Sequence, residues 1–482
     1  MARKSAPCIV WFRDDLRLSD HAALHAASGT GAPVICLYVF DEISDGLRPL
    51  GGAARWWLAQ SLRALQASLG AIGSRLLLRR GPAAEVIAGL ARQSGAGAVF
   101  WNDIAQAPQR IVADRVAAAL QEIGVAAQRF AGGLLAEPVW IRNQEGRGLR
   151  VFTPFWRRLQ ALGDPPKPLP APGALCSIPE LAGETLETWH LEPDHPDWAS
   201  GLRATWQPGE ISAQARLRAF LGGGVTGYAT GRDRPDRSAT SGLSPHLRFG
   251  EISPRQVWHA ARFAAAERPA LSDGVDKFLS ELGWREFCRH LLFDLPDLAT
   301  RNLRPSFDGF GWKHDAGALR AWQRGQTGYP IVDAGMRELW HTGVMHNRVR
   351  MVAASFLVKH LLIDWREGEK WFWDTLVDAD PGSNPANWQW VAGCGADAAP
   401  YFRVFNPILQ GEKFDPDGTY VRRWVPELAR LPAGLIHRPW DAAPLELRGA
   451  GVALDETYPK PIIDHKRGRE RALAAYAKVR GA

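Results

Sequence analysis

Short apolar runs alternate with longer amphipathic stretches over the first 130 residues, and the strand-like runs then stop. CIVWF (8–12), PVICLYVF (33–40), SRLLLRRG (74–81), GAVFW (97–101) and VAAQRF (125–130) have the length of strands, and all but the leucine-based third carry β-branched or aromatic residues. Between them, segments such as ARWWLAQSLRALQASL (54–69) repeat apolar residues at helical spacing. This alternation predicts a Rossmann-like domain over 1–130, a parallel sheet covered by helices on both faces. No G-x-G-x-x-G follows the first run, so a dinucleotide on this domain is not indicated.

A proline-rich stretch without periodicity, DPPKPLPAPGALCSIPE (164–180), marks a connection over 131–205. From 206 to 482 helical periods dominate, as in ISAQARLRAFL (211–221), SPRQVWHAARFAAA (253–266), VDKFLSELGWREFCRHLLF (275–293) and AGMRELWHTG (334–343). The second domain is therefore expected to be almost all helix. A chain of 482 residues is long enough for two cores.

Composition adds limits. Five cysteines lie far apart with no C-x-x-C pair, which argues against a metal site or a disulfide scaffold and fits a reducing compartment. The N-terminus shows no signal-peptide pattern, and the longest apolar stretch, from Met351, is broken by Lys359 and His360. A cytoplasmic protein with no membrane partner, acting as a monomer, is expected. A net charge of +7 is compatible with a polyanionic partner.

Nine of the 21 tryptophans fall between Trp284 and Trp390, ending in the run DADPGSNPANWQW (378–390). Two carboxylates and an amide a few residues before paired indoles suggest a polar cofactor beside redox-active rings. An aromatic helical core would read the same way. In TSGLSP, Ser244 before Pro245 predicts a helix start with Ser244 as N-cap. Thr240, Ser241, Gly242 and Leu243 ahead of it would offer hydroxyls and N–H groups to phosphate oxygens, or cap a helix and no more. In ELGWREF, Glu281, Trp284 and Arg285 share a helix face. Asn347, Arg348 and Arg350 crowd together after Met345 and His346.

These blocks together resemble the DNA photolyase/cryptochrome family, most like a bacterial class I cyclobutane pyrimidine dimer photolyase. WFRDDLRLSDHAAL (11–24) is similar to the family's N-terminal signature. TSGLSP, ELGWREF, TGYPIVDA, MHNRVRM, the 378–390 run, APYFRVFNP (399–407) and QGEKFDPDG (410–418) resemble its flavin domain, in order and nearly end to end.

The resemblance implies FAD in the helical domain. It puts the pyrophosphate at Tyr228 and the 240–244 segment, with Arg285 adding positive charge. It places Asp378 and Asp380 near the isoalloxazine and adenine-ribose parts, Arg350 paired to Asp378, and Asn384 facing the flavin edge. Trp388, Trp365 and Trp312 match an electron relay to the surface, while Trp371 and Trp373 are expected to be core. Glu281, Trp284, Met345, Asn347 and Trp390 would line a cavity for the dimer, flipped out of the duplex as is general for enzymes acting on bases, photolyases among them. Arg232, Arg348 and Arg403 would contact phosphates of UV-damaged DNA. The implied activity is light-dependent repair of cyclobutane dimers by electron transfer from reduced FAD; the alternative is a cryptochrome-type blue-light photoreceptor signalling through a protein partner. Glutamate at 281 favours cyclobutane dimers over (6-4) photoproducts. An antenna chromophore is also implied. Methenyltetrahydrofolate fits better than 8-hydroxy-deazaflavin, and an empty antenna site is the other outcome, since Gln109 stands where folate binders carry a glutamate.

Overall fold

The computed structural model describes residues 6–178, 181–398 and 402–480. The first residues of APYFRVFNP (399–401) therefore lie outside the described part. All five predicted runs are strands: β1 (Cys8–Phe12), β2 (Val34–Phe40), β3 (Leu76–Arg80), β4 (Ala98–Asn102) and β5 (Ala126–Phe130). They form one parallel sheet in the order β3-β2-β1-β4-β5. Central β1 is buried along its whole length, as a strand covered on both faces must be, whereas edge strand β5 is largely exposed and correspondingly poor in large apolar residues.

Among the described residues no further named strand follows Phe130, and the remainder is helical, as expected. The predicted helices appear as Gly52–Ala71, Glu210–Ala219, Pro254–Glu267, Ser272–Asp294 and Pro330–Thr342.

The chain forms two compact units. The first comprises Met1–Ala199, Trp206–Thr226 and Ser241–Pro296; the second comprises Ser200–Thr205, Gly227–Thr240 and Asp297–Ala482. These cuts fall elsewhere than the expected 1–130, 131–205 and 206–482, for a reason visible in buried polar contacts. Glu210 accepts from the backbone N–H groups of Leu18 (2.6 Å) and Ser19 (3.0 Å). Arg17 donates to the carbonyl of Gly250 at 2.8 Å, and Trp57 Nε1 donates to fully buried Glu251 at 3.1 Å. Breaking one partner of such a contact would leave an unpaired buried group, so these segments are bound to the sheet domain's side of the chain.

The second unit has its own core, built around Trp322, Tyr329, Phe356, Trp365, Phe372 and Trp388.

Candidate functional site

The Asp378–Trp390 run lies in the second unit and starts in the loop before the helix Ser383–Ala392. Asp378 is buried and receives both bonds of a forked pair from Arg350 Nη2, at 3.0 and 2.9 Å. The same guanidinium donates from Nε to the carbonyl of Met345 at 2.7 Å, so Arg350 is held at two edges. Asp380 ties down the turn into the helix: its Oδ1 accepts from the N–H groups of Gly382, the N-cap, and Ser383, each at 2.8 Å.

Asn384 is fixed by a residue that motif reading passed over. Its Nδ2 donates to the Oε1 of Glu369 at 2.9 Å and to the Glu369 carbonyl at 3.1 Å. A carboxylate can only accept, so the amide nitrogen must face Glu369, and Oδ1 is the atom presented elsewhere. Glu369 lies four residues after Trp365, a helical spacing that could have flagged it.

The three tryptophans expected to form a relay fall in the same unit. Trp388 packs edge-on against Phe372 (5.0 Å between centroids) and Trp322 (6.1 Å). Its close approach to the helix Trp365–Thr375 depends on Gly368, where an added Cβ would lie 2.1 Å from the indole. Trp365 opens that helix, is fully buried, and donates Nε1 to Asn302 at 2.9 Å. Trp312 is only half-buried, packed on Phe310 at 4.2 Å. Two buried indoles and a half-exposed third are thus present in one core. Trp390 donates Nε1 to the carbonyl of Asp397 at 2.9 Å. Trp373 is core, as expected, whereas Trp371 is half-buried and stacks on exposed Trp340 at 6.0 Å.

Around MHNRVRM one assignment is corrected. Met345 does not face a cavity: it is 1 % exposed, in the core, with its sulfur against Gly335. It precedes the helix Asn347–Ser355 and points back at Pro330–Thr342. Asn347 is exposed at that helix's first position, and Met351, half-buried one turn later, lies beside Arg348. The i, i+4 spacing from Asn347 was the available signal. Arg348 pairs with Asp233 at 2.8 Å and lies 4.4 Å over Phe414. Arg232 sits over buried Tyr228 at 5.7 Å, and Thr240 is exposed. Arg403 is exposed, its guanidinium 4.7 Å over Phe405. Burial pushes His346 down to about 4, so it is neutral near neutrality, with Nδ1 accepting from the Arg348 N–H.

The first unit carries the other assigned residues. Gly242 adopts φ +62°, and the Leu243 N–H reaches the Ser241 hydroxyl at 3.4 Å. The helix here is only Ser244–Arg248 and its N-cap is Leu243, which corrects the expectation for Ser244 by one residue. Proline at the following position fits equally well in the first turn, so the sequence could not fix the register.

On Ser272–Asp294, Glu281 pairs with Lys277 at 2.9 Å. Arg285 donates to fully buried Glu286 at 2.6 Å and to the carbonyl of Gly133 at 3.1 Å. Trp284 is half-buried and stacks on Phe152 at 3.8 Å, so one indole face is already covered. Gln109 accepts from Arg13 at 2.5 Å through its side chain and at 2.9 Å through its carbonyl. In the same unit a cavity of about 630 Å³ is lined by Arg142, Arg147, Arg150, Leu291 and Asp294 among others.

A doubly wound parallel sheet followed by a tryptophan-rich helical unit, in which Arg350 pairs with buried Asp378 and buried Asn384 is held by Glu369, defines a two-part α/β and all-α protein. Residues 8–173 match the family model described as DNA photolyase, and residues 278–478 match the FAD binding domain of DNA photolyase. The chain is 52% identical to a deoxyribodipyrimidine photo-lyase of Agrobacterium fabrum, over 100% of this chain and 99% of that protein. It is 39% identical to Cryptochrome-1 of Arabidopsis thaliana, over 98% of this chain and 70% of the relative. Its fold matches a bacterial class III photolyase from Agrobacterium tumefaciens with a TM-score of 0.97, at 51% identity, covering 100% and 99% of the two chains.

The chain belongs to the DNA photolyase/cryptochrome family. The class I expectation finds no support here, since the solved relative named above is class III. Motifs shared by several classes cannot separate them.

Proposed function

We propose that this protein is a deoxyribodipyrimidine photo-lyase that repairs cyclobutane pyrimidine dimers in UV-damaged DNA under blue light, acting as a monomer in the cytoplasm. The observation that carries the reading is the packing of Trp388 on the Trp365 helix, in the unit that also holds the Arg350–Asp378 pair and the oriented Asn384 amide.

The residues fit FAD. Their donor set is mixed, with arginine for phosphate, carboxylates for ribose hydroxyls and ring N–H groups, and an amide for a ring nitrogen. The buried amide is aimed by a dedicated partner. When bound, reduced FAD supplies the electron that light makes available to the dimer and that returns after the ring splits. Asp378, locked by Arg350, accepts from the ring edge. Asn384 Oδ1 accepts a hydrogen there because Glu369 occupies its nitrogen. Asp380 takes the ribose, and Tyr228, Thr240, Ser241, Gly242, Leu243, Ser244 and Arg285 take the pyrophosphate.

For the substrate, Glu281 and Asn347 bond the base edges, while Trp284 and Trp390 offer ring faces. Met351, in place of Met345, completes the lining. Arg232, Arg348 and Arg403 meet phosphates. Trp388, Trp365 and Trp312 deliver electrons that reduce the flavin before repair. Methenyltetrahydrofolate is the antenna we favour, although the bonds from Arg13 occupy both oxygens of Gln109.

The likeness to Cryptochrome-1 supports a second reading, a photoreceptor acting through a protein partner. Illuminating the reduced, FAD-loaded protein with a thymine-dimer oligonucleotide separates the two. Loss of dimers is expected; dimers left intact with FAD bound would sink the repair reading.

A further inference from the structure

Lys359 carries a charge into the interior of the second unit, where it is 4 % exposed, and neither the flavin nor the relay gives it a task. Burying an ammonium without a carboxylate is costly, and among the described residues no carboxylate is paired with it. What it meets is the segment that presents Arg403. Its Nζ donates to the carbonyl of Arg403 and lies 4.4 Å over the ring of Phe402.

The local backbone explains this aim. Lys359 sits in a π-helical turn, Phe356–His360, that continues the helix Asn347–Ser355. Such a wide turn inserts a residue and re-aims the side chains after it. One helical turn earlier, the hydroxyl of Ser355 accepts from the N–H of Phe405 at 3.4 Å. Phe402 is in turn pinned by Tyr476, stacked at 4.4 Å and 7°. The backbone of residues 402–405 is therefore fixed at two points, while Arg403 itself is exposed, its guanidinium 4.7 Å over Phe405.

We propose that Lys359 is a positioning residue for damaged-DNA binding: by holding the Arg403 carbonyl it sets the exposed Arg403 guanidinium where a DNA phosphate is met. This rests on reading Arg403 as a phosphate contact. A lysine that only stabilised the core would lower the melting temperature without touching the electrostatics of binding.

The salt dependence of binding separates these roles. Affinity of the FAD-loaded enzyme for a thymine-dimer oligonucleotide is measured over a salt series for the native protein, R403A, K359M and K359R. R403A and K359M should each bind about fivefold more weakly, with the slope of log affinity against log salt shallower by about 1, the loss of one phosphate contact. K359R, which keeps a donor for the carbonyl, should lie near the native protein. Equal FAD content and photoreduction rate in all four show that they are folded; should K359M lose its flavin, K359Q takes its place in the series. A native slope in K359M beside a shallow one in R403A would overturn the role of Lys359 and leave Arg403 as a contact. A native slope in R403A as well would overturn both.

Discussion

Asn384 shows how much one side chain's function depends on another. Its amide nitrogen is held by both the carboxylate and the main-chain carbonyl of Glu369, and without the carboxylate only the carbonyl bond would keep Oδ1 turned toward the proposed flavin site. Glu369→Ala should slow flavin photoreduction several-fold and, by leaving a buried amide N–H unpaired, cost roughly 1–3 kcal/mol of stability. Photoreduction kinetics and thermal melts of the variant check both. A residue that only filled space would change the melt and spare the kinetics. The methionines give a second contrast. Met345→Leu, a volume-conserving core change, should cost under about 1.5 kcal/mol and leave damaged-DNA affinity unchanged. Met351→Ala should weaken that affinity, which a binding titration reads directly. The motif MHNRVRM offers two methionines, and their positions against Gly335 and Arg348 tell them apart.

The helix Trp365–Thr375 forms a wall of the core against which Trp388 packs, and it carries Trp365 of the proposed relay. Gly368 leaves room for Trp388, so Gly368→Ala should force the indole away, destabilise the protein by about 1–3 kcal/mol and slow photoreduction. Trp312→Phe should slow photoreduction sharply without destabilising the core, and repair by enzyme reduced beforehand should persist; equal loss of both would refute the relay. Elements were legible in the sequence to different degrees. Strands β1, β2 and β4 were plain because they are buried almost throughout and their apolar runs are nearly continuous, whereas exposed β5 showed only as a short run flanked by Val125 and Phe130. The helix after TSGLSP was misplaced by one residue because Ser244 and Pro245 both suit a first turn. The π-helical turn at Phe356–His360 left no trace in the pattern, since it changes backbone register and not composition.

Across the whole molecule, charge and burial set the response to pH. Burial pushes Lys359 down to about 7 from an ordinary value of 10.5. Between those values the unfolded chain binds a proton that the folded one does not, so stability rises with pH across that window. The penalty is full below about pH 7 and gone above 10.5. Melting temperatures measured from pH 7 to 10 should rise in the native protein, and the rise should flatten in K359M. The same scale accounts for the unit boundaries. Glu210, Glu251 and Arg17 bind segments nearly two hundred or more residues away, and such contacts carry no periodicity that a linear reading could detect.

The sequence by itself determined the alternation of strand and helix, the helical second half, the family, and the order of the motifs. Local hydrophobic period and fixed spacing encode these, and neither depends on what lies across the fold. Only the tertiary structure decided that Glu369 aims Asn384, that Met345 is core, that Gly368 admits Trp388, and that Lys359 holds Arg403. Each of these depends on which side chains meet at a few ångströms, where hydrogen-bond direction and close packing take over from pattern.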